Sequence, residues 1–69
     1  MTVEKTWRVH VAGRFNRAAT ESLAKSCGAF ESGYAGTLYF AFRERGEAHR
    51  FATHSEQSNP NSTIIVVNG

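Results

Sequence analysis

Ala29-Phe30-Glu31-Ser32-Gly33-Tyr34 is the stretch on which the architecture turns. Phe30, Ser32 and Tyr34 alternate with Ala29, Glu31 and Gly33, the period-two pattern of a short strand. Gly33 and Gly36 then supply a turn into the clearest strand of the chain, Thr37 to Arg43. There Leu38, Phe40 and Phe42 face one side, and Thr37, Tyr39, Ala41 and Arg43 the other. Counted as a strand, 29–34 completes a hairpin. Left out, it leaves a three-stranded parallel sheet, a less comfortable solution for 69 residues.

Outward toward the N-terminus, Thr6-Trp7-Arg8-Val9-His10-Val11-Ala12 is a second alternating segment. Trp7, Val9 and Val11 form its apolar side, Thr6, Arg8 and His10 its polar side, and Gly13 ends it. Asn16 has the chemistry of a helix N-cap, with Phe15 in the staple position before it. Phe15, Ala19, Leu23 and Cys27 recur every four residues and predict a helix from about Arg17 to Cys27, with one narrow apolar stripe. Glu21 and Lys25 form a favourable i,i+4 pair, and Gly28 suits the position after the helix end. On the C-terminal side, Glu44-Arg45-Gly46 reads as a turn, and Ala48, Phe51, Ala52 and Ser55 have helical spacing. Asn59-Pro60-Asn61-Ser62 breaks that helix, and Thr63 to Val67 reads as a final strand, apolar on both faces.

The order is strand, helix, strand, strand, helix, strand. It predicts a single α+β domain over residues 1–69 of the ferredoxin-like βαββαβ type, one antiparallel sheet with two helices on one face. A chain of this length buries roughly 60% of its unfolded surface, which leaves little protein to wall a deep pocket. The hydrophobic content is 41% and the charged content 20%, ordinary for a globular domain. The net charge of +2 comes from eight basic residues spread among six acidic ones, sparser than the basic clusters of dedicated nucleic-acid binders. With one cysteine, Cys27, no internal disulfide can form, which fits a reducing cytoplasm. Met1 to Lys5 lack the apolar core of a signal peptide, and no run approaches the ~18 apolar residues of a membrane span. A cytoplasmic protein without membrane partners is the expectation.

If the helices cover the apolar sides of the strands, the opposite sheet face presents Arg8, His10, Thr37, Tyr39 and Arg43. A tyrosine and a histidine between two arginines can stack bases and neutralise phosphates. They also suit the half-solvated face of any open sheet. Arg8, His10, Tyr39 and Arg43 are therefore the candidate residues for a partner or for RNA or single-stranded DNA.

In this frame the chain resembles an RNA recognition motif. Val9-His10-Val11-Ala12-Gly13 stands where that family has its first-strand motif. Gly36-Thr37-Leu38-Tyr39-Phe40-Ala41-Phe42 stands where it has the second, and Glu47-Ala48-His49-Arg50-Phe51-Ala52 follows as the second helix does. The resemblance implies base stacking on the open sheet. Two stacking positions depart from the pattern, being occupied by His10 and Thr37, so that Tyr39 alone remains. Val9-x-Val11-x-Gly13 before a helix is similar to acylphosphatases, for which Arg14 or Arg17 could supply the phosphate-binding arginine. The longer loop and the later asparagine of those enzymes have no counterpart here.

Other chemistries find little support in the sequence. Cys27 belongs to the apolar stripe at a helix C-terminus, where the dipole disfavours a thiolate. His49 and His54 are about 140° apart around a helix and do not readily share a metal. There is no glycine-rich phosphate loop and no paired carboxylates, and Glu44, Glu47 and Glu56 read as solvated charges. No catalytic residue, cofactor or metal site is expected.

The last strand is the exception to this plainness. In ferredoxin-like order it lies at a sheet edge, yet Ile64, Ile65, Val66 and Val67 carry no charge, proline or other guard. Such an edge invites another strand, by self-association into a homodimer or by docking to a partner protein. In size, fold and lack of catalytic signature the chain resembles small accessory proteins of phages and mobile elements, anti-CRISPR inhibitors among them, which act by occupying a host complex. The sequence thus points to a non-enzymatic protein-interaction module, with single-stranded nucleic-acid binding on the open sheet as the alternative.

Overall fold

The computed structural model describes residues 6–34 and 36–68. Six elements follow one another: β1 (Trp7–Gly13), α1 (Arg17–Ser26), β2 (Glu31–Tyr34), β3 (Leu38–Phe42), α2 (Arg45–Ser58) and β4 (Ser62–Asn68). The strands form one antiparallel sheet in the order β2-β3-β1-β4, so the chain has the expected ferredoxin-like α+β fold. The stretch 29–34 does contain a strand, begun two residues later than its alternation suggested.

One sheet face carries the core. Val9, Val11, Leu38, Phe40 and Phe42 are buried on it, with Trp7, Ile64 and Val66 packed at the margin. From α2, Phe51 meets Phe40 edge-on at 5.2 Å and Phe42 at 5.4 Å, between ring centroids. α2 lies over β1, β3 and β4, and α1 packs along α2.

The α1 stripe is rotated from the sequence-based reading. Ala19 is exposed, Phe15 and Leu23 are half-buried, and the innermost positions are Thr20, Ala24 and Cys27. A strict four-residue repeat drifts about 40° per step around a 3.6-residue helix. The stripe therefore passes through Thr20, whose methyl group can pack although its hydroxyl marked it as polar. That hydroxyl and the one on Ser55 are buried without a hydrogen-bond partner among the described residues.

The helix ends follow local chemistry. The Asn16 side chain accepts a hydrogen bond from the Ala19 N–H at 3.0 Å and caps α1. Gly28 has φ +104 immediately beyond the C-cap Cys27, a conformation that disfavours any residue with a Cβ. α2 begins at Arg45 rather than after a turn at 44–46, with Glu44 as an N-cap that makes no side-chain capping bond. Asn59 ties three elements together. Its Oδ1 accepts from the Asn16 N–H at 3.1 Å, its Nδ2 donates to the Ser55 carbonyl at 3.2 Å, and its carbonyl accepts from the Ser62 N–H at 3.0 Å. No helix among the described residues is long and apolar enough to cross a membrane.

Candidate interaction surface

Register determines what the open face displays. β1 pairs with β3 so that Arg8 stands opposite Ala41 and His10 opposite Tyr39. It pairs with β4 so that Arg8 meets Val67 and His10 meets Ile65. With β2 added, the two central rows read Glu31-Ala41-Arg8-Val67 and Gly33-Tyr39-His10-Ile65.

Three of the four predicted polar residues converge. The Arg8 guanidinium and the His10 ring each lie 5.7 Å from the Tyr39 ring centroid. His10 Nδ1 is 3.0 Å from Thr37 Oγ1, and the Tyr39 hydroxyl donates to Glu31 Oε2 over a long 3.4 Å. Gly33 explains how Tyr39 lies down: a Cβ there would sit 2.6 Å from Tyr39 Oη and 2.7 Å from Cζ. The ring uses the space that glycine leaves. Arg43 is placed at the end of the sheet, with its guanidinium 4.9 Å over the Phe30 ring.

Glu31 is the member that sequence reading missed. The alternation of 29–34 already put Glu31 and Gly33 on one side, but the register that brings that side to Tyr39 emerges only from the folded hairpin. Ala41 was expected on the open face and does lie there, yet it is buried, flanked in its row by the long side chains of Glu31 and Arg8.

β4 divides its four apolar residues between the two faces. Ile64 and Val66 pack against the core, whereas Ile65 and Val67 are 54% and 39% exposed on the open face. The pairing with β1 is an unbroken ladder from Trp7↔Asn68 to Gly13↔Ser62. Two hydrogen bonds set its phase. The Arg14 N–H donates to the Asn61 carbonyl, so Gly13 and Ser62 form a non-hydrogen-bonded pair, and Thr63, Ile65 and Val67 turn their backbone groups toward β1. The Ala41 carbonyl accepts from the Phe30 N–H, so Ala41 bonds toward β2, which leaves its other neighbour Arg8 bonding toward Val67. Both agree that the backbone groups of Ile64 and Val66 point out of the sheet. Among the described residues no strand lies beyond β4.

Cys27 is buried, and desolvation pushes its thiol above the ordinary value of 9.0, with nearby Arg50 opposing and Glu47 reinforcing the rise. His49 stands beside Trp7 at 6.5 Å between centroids and accepts a long bond from Arg45 Nε. Among the described residues no three His, Cys, Asp or Glu side chains gather as a metal site would require. Comparison with protein-family models, with curated proteins and with solved structures returned no match.

Proposed function

We propose that this chain is a non-enzymatic protein-interaction module that docks a β-strand along the free edge of β4. In that role it is a small accessory or inhibitory protein that works by occupying a larger assembly, in the manner of the phage-encoded and anti-CRISPR proteins it resembles. The observation that carries the reading is the edge itself. It has seven residues, no charge, no proline and no bulge, with Ile65 and Val67 exposed beside outward-facing backbone groups. Main-chain bonding would supply the attachment, and the two exposed side chains the selectivity.

Single-stranded nucleic acid on the open face is the weaker reading. The Tyr39 ring on that face already lies against Gly33 and beside Arg8 and His10, which leaves its face less free to take a base. The Glu31 carboxylate at its hydroxyl would also repel a phosphate.

The test is capture of partners from a lysate of the source cells, with and without nuclease, using wild type, Ile65→Lys and Tyr39→Ala. Nuclease-resistant capture that Ile65→Lys abolishes and Tyr39→Ala retains supports strand docking. Salt-dependent binding of RNA or single-stranded DNA that Tyr39→Ala removes and Ile65→Lys keeps would replace it with the nucleic-acid reading.

A further inference from the structure

We infer that the β4 edge of this protein is self-complementary, and that it takes a second copy of the same chain in antiparallel register centred on Ile65. The inference rests on the strand-docking reading of β4 and names a second copy as the strand that fills the edge, which a partner strand would have to displace.

β4 runs from Ser62 to Asn68, and Ile65 is its midpoint. A two-fold axis there pairs the strand with itself over its whole length, and Ile64 then falls opposite Val66 of the second copy. Both turn their N–H and C=O groups outward, so each pair can exchange both backbone bonds, while at the strand ends Ser62 meets Asn68 with its N–H kept by the Asn59 carbonyl. Ile65, whose backbone is committed to His10, falls on the axis as a non-hydrogen-bonded pair, where opposing Cα atoms approach to about 4.5 Å. Centring on Ile64 instead would set Asn68 against Pro60, which lies outside the strand and has no N–H to exchange.

Charge makes the same choice. A two-fold sets the strand against its own copy, so a charged edge repels itself, but Ser62 to Asn68 carries no charge. Arg8, which pairs with Val67, extends its row through Val67 to Thr63 and Ala12 of the second copy, which are small and neutral. The other row becomes Tyr39, His10, Ile65 and then the same residues in reverse, which closes the two exposed isoleucines over one another.

Disulfide trapping tests this register. In a Cys27→Ala background, Ile65→Cys places one thiol against its copy within the Cα range a disulfide accepts. Thr63→Cys places its thiol four residues from its own copy, about 13 Å along the strand, which a disulfide cannot span. Mild oxidation is expected to crosslink Ile65→Cys about tenfold or more faster than Thr63→Cys. Thr63→Cys mixed with Val67→Cys should form the heterodimer. Circular dichroism verifies that each variant folds, and sedimentation of the unmodified protein gives a readout independent of any substitution. Equal crosslinking at 63 and 65, or a monomer at all concentrations, overturns the self-pairing. A monomer that still captures a nuclease-resistant partner through Ile65 leaves strand docking standing without the second copy, and a monomer that captures nothing removes both.

Discussion

The two edges of this sheet are built in opposite ways. β2 has four residues, carries Glu31, contains Gly33, and begins where Phe30 and Glu31 both stand against Ala41 in the manner of a bulge. Short length, charge and irregularity are the ordinary protections of an exposed strand. β4 has seven residues and none of these protections. One domain thus guards one edge and leaves the other open. A chain that protected both would be a plain soluble scaffold, and one that protected neither would polymerise edge to edge. Under the proposed self-pairing, this asymmetry would limit edge-to-edge assembly to a single junction.

The largest effect is expected from a residue that supports both edges. Phe40 stands opposite Ser32 of β2 and Val9 of β1, is 2% exposed, and meets Phe51 edge-on. Phe40→Ala should cost about 3–5 kcal/mol, near the whole stability of a domain this small. Chemical denaturation measures it, and an unmoved midpoint would place Phe40 outside the core. Next, Gly33→Val strikes the guarded edge alone. The new side chain collides with the Tyr39 ring, at an expected cost of about 1–3 kcal/mol. Sedimentation should show the association state unchanged, and a shift would mean that β2 also takes part in assembly.

The smallest effect belongs to Cys27, which serves as a control in the helix layer. Its folded-state thiol holds a proton more tightly than the unfolded one, because burial disfavours the thiolate. The associated stability is intact below the ordinary value of 9.0 and fades as pH rises through the higher folded-state value. Cys27→Ala should therefore lose less stability than wild type between about pH 7 and pH 10, as read by parallel denaturation curves. Equal losses would mean an exposed thiol, as would rapid labelling of native Cys27 by a thiol reagent.

Alternation and turn chemistry carried most of the fold. The apolar sides of β1 and β3, the Asn16 cap, the Gly28 stop and the break at Asn59-Pro60 are all local patterns, and local patterns survive into the structure. Two things were not local. The buried side of α1 depends on where α2 lies, so Thr20 displaced Ala19 from the stripe. The grouping at Tyr39 depends on hairpin register, so Arg8 and His10 were legible from β1 alone while Glu31 was not. The apolar run of β4 was plain in the sequence, but its division into Ile64 and Val66 inward and Ile65 and Val67 outward required the pairing with His10 and Arg8.

Asn59 gives the open edge its identity from a distance. By holding the Ser62 N–H while bridging the start of α1 and the end of α2, it fixes the point at which β4 enters the sheet. Strand pairing has a parity: a slip of one residue would swap every inward side chain for an outward one and every committed amide for a free one. The Asn59 bonds therefore work as a latch on that parity. Weakening them would leave the composition of β4 untouched and still rewrite the surface it offers, so a residue outside the strand sets the pattern of backbone groups and side chains along this edge.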